Sequence, residues 1–377
     1  MVRRVDQVIP TLASRDAIGR HTLELRELLR GMGLGSDIYY ANASSDVLGE
    51  GLHIDRLGDA DGAGRVLLYQ LSIGSPAAVA FARRPEPKLV DYHNITPVEL
   101  LEPWEPSVAE ELRLGRAQMR QLAPLTVFAM ADSAYNEAEL KTVGYRATAV
   151  APLLFDTGEL GGKPDLSRLH RLEADRKRGG HDLLFVGKVA PHKAQHDLIK
   201  TLALYRRFYD PAARLRMVGG PVGEAYSWAL ERLAAALGVT DAVDLPGSVT
   251  HSELIAYYRV ADVFVCLSDH EGFCVPLVEA MVNGLPIVAY GAAAVPDTVG
   301  DAGLVLDSKD PLRVAAAVDR VTRDDELRGV LARSAAERVA SMSLELSRAA
   351  FANVLSSAIA VVQSEPALSL ESVSFRS

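Results

Sequence analysis

With 377 residues, 49% of them hydrophobic and 24% charged, the chain is too long for one ordinary domain and can give each of two domains a real core. A net charge of −9 argues against a general nucleic-acid binder, whose phosphate contacts need a basic surface. Cys266 and Cys274 are the only two cysteines, so no disulfide framework is implied and a reducing compartment is the simpler reading. Met1-Val2-Arg3-Arg4-Val5-Asp6 runs into a strand-like stretch without the apolar segment of a signal peptide, and no run of about 18 apolar residues appears. The expectation is a soluble, cytoplasmic protein.

From the amino end, strand-like runs alternate with helical ones, the pattern of a parallel sheet covered on both faces. A strand at 5–9 leads through a loop to a helix at 17–31, with Asp16 as N-cap and Leu23, Leu25, Leu28 and Leu29 on its apolar side. Gly19 lies in the first turn, where a missing side chain lets a ligand approach or simply starts a helix. Further strands are expected at 37–40, 66–71, 88–92, 126–131 and 146–150. Asp59-Ala60-Asp61-Gly62 has the spacing of a metal-binding Asp pair, but its Gly-rich setting favours a turn held by local hydrogen bonds.

The strand at 88–92 ends in Asp91-Tyr92-His93-Asn94-Ile95-Thr96-Pro97. Ligands bind at the carboxyl ends of strands in such sheets, which makes His93 a candidate site residue. A helix over 110–123 places Arg113, Arg116 and Arg120 on one side. Such a stripe can rest on an anionic membrane surface, but Glu110, Glu111 and the lack of large apolar neighbours favour a solvated face.

Residues 157–180 gain Gly, Pro and charge and read as a linker. A second alternating set follows, with strands at 182–186, 214–218, 242–245, 262–267, 286–290 and 303–306. After the first of these, Gly187-Lys188-Val189-Ala190-Pro191-His192-Lys193 enters a helix, and Lys188 and Lys193 can converge from this loop on a pocket. His192 and His196 share a helix face but lack a third ligand, so zinc is not expected. The Gly219, Gly220 and Gly223 spacing departs from a dinucleotide fingerprint.

Ser268-Asp269-His270-Glu271-Gly272-Phe273-Cys274-Val275-Pro276 joins an apolar strand to a short helix ending near Gly284. N–H groups at the start of that helix, around Gly272, Phe273, Cys274 and Val275, make an anion site, and a phosphate is the obvious guest. Glu271 and Glu279 flank it. Acids do not bind phosphate, so they are expected to accept from hydroxyl groups on the same ligand, a sugar at one end and a ribose at the other.

Glu271 and Glu279, seven residues between them and Ala280-Met281 following, resemble the Glu-x7-Glu motif of retaining glycosyltransferases of family four, which have the GT-B fold. The resemblance implies an α/β architecture of two Rossmann-like domains facing each other across a cleft, with a C-terminal helix crossing back to the first domain. The expected division is 1–156 for the acceptor domain, 157–180 linker, 181–342 nucleotide-sugar domain, 343–362 returning helix and 363–377 loose tail.

By the same resemblance, Glu271 contacts the transferred sugar and Glu279 the ribose. His93, in a segment similar to one in a branch of the family, faces the sugar. Lys188 and Lys193 meet the diphosphate, with Lys188 where the family commonly has Arg. Gly19 and Gly187 lie in loops near the donor, and Val249, in Gly247-Ser248-Val249-Thr250, meets the base. The resemblance further implies a nucleotide-diphosphate sugar donor, UDP-sugar first, a carbohydrate or small-molecule acceptor, no metal cofactor, and front-face attack by the acceptor. A GT-B sugar-nucleotide epimerase and a catalytically inactive nucleotide-sugar binder stand as alternatives.

Overall fold

The computed structural model describes residues 1–14, 16–58, 62 and 64–364. Asp59 and Asp61, and residues 365–377 of the expected loose tail, lie outside the described residues. The chain divides into two compact units, the first holding Met1–Val98, Ser107–Phe155 and the C-terminal helix, the second Glu99–Pro106 and Asp156–Ser343.

In the first unit the strands are β1 (Arg4–Leu12), β2 (Ile38–Ala43), β3 (Leu52–His53), β4 (Arg65–Leu71), β5 (Lys88–Tyr92), β6 (Thr126–Ala131) and β7 (Thr148–Val150). Helices α1 (Ala17–Gly31), α2 (Pro76–Ala82), α3 (Pro106–Leu122) and α4 (Ala134–Val143) alternate with them. The sheet order is β3-β2-β1-β4-β5-β6-β7, with parallel pairing throughout. Every residue of β4 and β5 is buried, as expected of strands covered on both faces.

The second unit begins with α5 (Leu166–Arg176) and continues β8 (Asp182–Val186), α6 (Gln195–Phe208), β9 (Arg214–Val218), α7 (Glu224–Ala236) and β10 (Val243–Gly247). Then come α8 (His251–Val260), β11 (Val263–Cys266), α9 (Val275–Val282), β12 (Ile287–Tyr290), α10 (Val295–Val299), β13 (Gly303–Leu306), α11 (Pro311–Arg323) and α12 (Asp325–Ser341). Its parallel sheet runs β10-β9-β8-β11-β12-β13. In both sheets the order reverses beside the first strand, between β1 and β4 and between β8 and β11. Such reversals open a crevice at the carboxyl strand ends, where ligands bind in this class of fold.

The structure departs from the sequence reading at several elements. The stretch 157–180 holds α5, which groups with the second unit. Its polar sequence keeps one buried residue, Leu172, and an N-cap in Asp165, whose side chain accepts from the Arg168 N–H. Too short for the strand search, β3 pairs with β2 through only two residues.

Helix α3 starts at Pro106, where a missing N–H costs nothing. Its arginines do not form one solvated stripe. Arg116 turns inward to Glu139 at 2.8 Å and to the Ile95 carbonyl, while Arg113 pairs with Glu110 at 2.6 Å.

Helix α13 (Leu344–Ser364) has a mean hydropathy of 1.3 over its most apolar 18 residues, enough by length and composition to cross a membrane. Serines and other polar residues interrupt its apolar run, so no stretch of about 18 consecutive apolar residues marks it in the sequence. Its Phe351, Leu355 and Ala358 are buried with Val5, Leu68, Leu89 and Met130 in the core of the first unit.

Backbone meets backbone in the second unit where the loops after β8 and β9 cross. Gly187 N–H donates to the Val218 carbonyl at 2.9 Å and Val189 N–H to that of Gly220 at 2.9 Å. Gly219, at φ 151°, leaves room for the Gly187 carbonyl, which a Cβ there would approach to 2.0 Å. Gly238 has φ 69° but nothing within 4 Å of its Cβ position. Gly219→Ala is therefore expected to cost about 3 kcal/mol and Gly238→Ala about 1 kcal/mol. Urea unfolding followed by tryptophan fluorescence tests this, since both tryptophans, Trp104 and Trp228, belong to the second unit. Equal losses in the two variants would refute the crossing-loop explanation.

Candidate functional site

The loop from β11 to α9 carries Glu271, which is 6% exposed. Lys193 Nζ donates to both of its carboxylate oxygens, at 2.8 and 2.7 Å. Burial works against the Lys193 charge, but Glu271 outweighs it and lifts the ammonium above the ordinary lysine range. Lys193 is the last residue of a turn of 3-10 helix at Pro191–Lys193, after β8. The two residues thus come from the loops that follow two paired strands.

Several contacts hold the acidic loop in place. Asp269 N–H donates to the His192 carbonyl at 2.8 Å, and Ala294 N–H to the Glu271 carbonyl at 3.2 Å. Thr298 Oγ1 donates to the Phe273 carbonyl at 2.5 Å. Lys309 Nζ bridges Asp269 at 2.5 Å and Asp197 at 3.0 Å. Cys274 is the N-cap of α9 in a left-handed conformation, φ 73° and ψ 70°. This costs a residue with a Cβ roughly 1–2 kcal/mol more than glycine. Val275 and Pro276 open the helix, and its first N–H groups have no partner within the helix itself, which favours an anion there.

Glu279 is 8% exposed and accepts from the Tyr258 hydroxyl at 2.8 Å. Burial, then the Glu279 charge, pushes the Tyr258 hydroxyl well above its ordinary value. Tyr258 therefore stays a neutral donor, fixing the carboxylate. Lys188 is exposed, and its carbonyl accepts from Gln195 Nε2 at 2.9 Å. Val249 packs partly buried against the core that contains Tyr258 and Phe264. His192 is pulled down to about 2 by burial first, then by the charges of Lys193, His270 and Lys188. It is a neutral ring beside two ammonium groups.

At the carboxyl end of the first unit's sheet lies a second cluster. Leu154 N–H donates to His21 Nδ1 at 3.0 Å, so the proton of the neutral His21 ring sits on Nε2 and is donated to Asp91 Oδ2 at 2.9 Å. A second chain of donors starts from a main-chain carbonyl: Gln7 Nε2 donates to Thr22 O at 2.9 Å and Gln70 Nε2 to Gln7 Oε1 at 3.0 Å. Gln70 Oε1 must then accept from His93 Nε2, 2.6 Å away. His93 Nδ1 lies 3.5 Å from Asp132 Oδ2. Burial opposes a charge on His93, but Asp91 and Asp132 outweigh it and raise its proton affinity.

The sequence reading has the His93 ring facing a sugar. In the structure its side chain is 1% exposed, enclosed because Gln70, Asp91 and Asp132 supply its polar partners from neighbouring strand ends. Gly19 has a local structural role. Its Cβ position lies 1.9 Å from the Ala13 carbonyl, so the missing side chain makes room for the chain's own loop.

Among the described residues, two groups of side chains place candidate ligand atoms within 4.8 Å of one another: His21, Asp91 and His93, and Cys266, Glu271 and Cys274. In the first, both Nε2–H groups are already directed at acceptors. In the second, Lys193 covers the carboxylate.

Residues 170–338 match the sequence model of the family described as glycosyl transferases group 1. This stretch includes Lys188, Lys193, Glu271 and Glu279. The matched stretch is similar to that family and spans less than half of the chain. D-inositol 3-phosphate glycosyltransferase of Frankia alni is 38% identical over 188 residues, 48% of this chain and 45% of that protein. The enzyme of that name from Salinispora tropica is 35% identical over 187 residues, 46% of this chain and 38% of its own length. The match thus spans less than half of these curated relatives.

Among solved structures, Anabaena HepE in complex with UDP and glucose superposes with a TM-score of 0.71 at 17% identity, covering 94% of this chain and all of that one. Sucrose-phosphate synthase from Thermosynechococcus elongatus gives 0.69 at 18% identity, with 95% and 100% covered. At such identities the likeness establishes the fold class, GT-B with two Rossmann-like units.

Within the matched stretch, the structure brings Lys193, Glu271, Cys274 and the start of α9 together, with Glu279 inside the same helix. His93 and Gly19 belong to the other unit. Tyr258, Thr298 and Lys309 were missed by sequence reasoning, and no local motif marks them. His21 was missed as well, although a signal existed: with Leu25 and Leu29 it forms an i, i+4, i+8 series on the buried face of α1, and a buried histidine needs partners.

His192 gives a pH prediction. Its folded-state value of about 2 lies below the ordinary 6.5, so between them the unfolded chain binds the extra proton and stability falls as pH drops. Lowering the pH from 7.5 to 5.5 should cost the wild type about 1.4 kcal/mol more than His192→Asn. Tryptophan-monitored urea unfolding at both pH values checks it, and parallel losses would refute it.

Proposed function

We propose that the protein is a retaining glycosyltransferase that moves a hexosyl group from a nucleotide-diphosphate sugar to a hydroxyl of a carbohydrate or small-molecule acceptor. The observation that carries this is the Lys193–Glu271 contact beside the amino end of α9, with Tyr258 holding Glu279 one turn further on. A basic group and a helix start suit a diphosphate, and two oriented carboxylates suit hydroxyl groups on either side of it. UDP, the nucleotide held by HepE, is the first to test.

Cleavage of the anomeric bond leaves negative charge on the diphosphate and positive character on the sugar ring. Lys188, Lys193 and the α9 amides stabilise the leaving group as preorganised positive ends. Glu271 accepts from sugar hydroxyls, and Glu279 from the ribose. The reading assigns no enzyme nucleophile; the acceptor attacks from the face the diphosphate leaves, and the phosphate takes its proton. Charge neutralisation by side chains makes a metal unnecessary in this scheme.

A thermal-shift panel of nucleotide sugars, followed by product analysis with the donor that stabilises most, tests the proposal. Transfer with retention at the anomeric carbon supports it. Interconversion of the donor sugar without an acceptor would make the protein an epimerase. Glu279→Ala should weaken UDP binding about tenfold or more, while Lys193→Met should lower turnover by about a hundredfold with a smaller effect on affinity. Wild-type behaviour in both variants would rule out this site.

A further inference from the structure

The two cysteines of this chain meet at the base of the loop that carries Glu271. Cys266 ends β11 and is 1% exposed. Cys274 is partly buried at the other end of the loop. Their Sγ atoms and a Glu271 oxygen all lie within 4.8 Å of one another. Ser268 Oγ sits 3.5 Å from the Cys266 sulfur.

Cys274 occupies a left-handed position, φ 73°, where glycine would hold the same turn without strain. A side chain retained in such a conformation beside a functional loop points to a use for that side chain. Here the side chain places a second sulfur against the first. Of the two thiols, Cys266 is pulled below its ordinary value, first by the hydrogen bond from Cys274, which favours a thiolate in the pair.

We propose that Cys266 and Cys274 are an oxidative modification site, a dithiol that a hydroperoxide closes into a disulfide, weakening the grip of the Glu271 loop on its ligand. The effect on the donor rests on the function proposed above, whereas the thiol chemistry does not. One cysteine, as its thiolate, attacks a peroxide oxygen; the O–O bond breaks, a sulfenic acid forms and hydroxide leaves. That hydroxide takes the proton of the second thiol. The new thiolate attacks the sulfenic sulfur, the S–S bond forms, the S–O bond breaks and hydroxide departs. One peroxide is reduced and two thiols are oxidised. The bond requires the sulfurs at about 2.05 Å, so they close up across the loop base. Cys274, the N-cap of α9, shifts with its sulfur, and Glu271 rides on the loop so tied.

The test uses the full reduced chain and hydrogen peroxide. Thiols titrated in denaturant should fall from two to none and return with dithiothreitol. Proteolysis after Glu271 should leave two peptides joined until reduction. UDP affinity, read by thermal shift, should fall about tenfold on oxidation and recover on reduction. Cys266→Ala should keep its UDP affinity through peroxide treatment. Thiols that remain free, or that oxidise to sulfinic acids without a cross-link, overturn the proposal, as does unchanged UDP affinity in a chain shown to be cross-linked. A reduced chain that UDP does not stabilise sinks the donor reading instead, and the dithiol is then decided by the cross-link alone.

Discussion

The contact of Lys193 with both oxygens of Glu271 is the constraint around which the second unit's site is built. Both groups are removed from bulk water, so each compensates the desolvation of the other, and losing either leaves an unpaired buried charge. The pair also fixes geometry. It links the loops after β8 and β11, strands that pair at Val263–Leu183 and Phe264–Leu184. Asp269 N–H on the His192 carbonyl makes a second tie between the same loops. With both in place, the start of α9 has a defined position relative to an ammonium group, and an anion bound there would meet charge without waiting for a side chain to reorganise.

The first unit uses the same kind of sheet for different chemistry. Its strand ends present no lysine pair; they hold histidines between carboxylates and amides. The direction of every hydrogen bond in the chain from Thr22 O through Gln7 and Gln70 to His93 is set by a main-chain carbonyl, which can only accept. His21 is set in the opposite sense by a main-chain N–H. Side chains whose donors and acceptors are settled this way form a stiff polar layer. One sheet end is thus built around a basic group and a helix start, the other around enclosed imidazoles.

Much of this was legible in the sequence because parallel strands buried on both faces leave unmistakable apolar runs. The strands at 88–92, 126–131, 182–186, 214–218 and 303–306 have the observed limits. Glu271, Glu279 and the α9 start could be read because they are contiguous. What could not be read is long-range. Tyr258 reaches Glu279 from another helix, and Lys309 reaches Asp269 from beyond β13. Nor does a histidine at a strand end reveal which way its ring turns. That depended on Gln70 and Asp132, residues of adjacent strands that only the sheet order places beside His93. Gly19 was legible as a special position, but whether a ligand or the chain itself fills the vacant space is decided by the path of the loop at Ala13.

Backbone strain connects these observations. Among the described residues, those other than glycine with positive φ are Asn94, Ala194, Cys274 and Ala293. Asn94 follows His93, and Ala194 follows Lys193. Cys274 caps α9, and Ala293 precedes the Ala294 N–H that holds the Glu271 carbonyl. Positions of this kind cost about 1–2 kcal/mol each and persist only where the surroundings over-determine them. Each is held locally: Asn94 through its amide to Asn136, Ala194 through its N–H to the Pro191 carbonyl, Cys274 through its carbonyl, which accepts from the Leu277 N–H, and Ala293 between the hydrogen-bonded Ala292 and Ala294. A turn that bends sharply at the end of a strand brings the preceding side chain up to the sheet edge instead of letting it run on into solvent. The strain is the consequence of placing Lys193 and the Glu271 loop beyond the carboxyl ends of β8 and β11, where the order of the sheet opens a crevice, and of enclosing His93 at the end of β5.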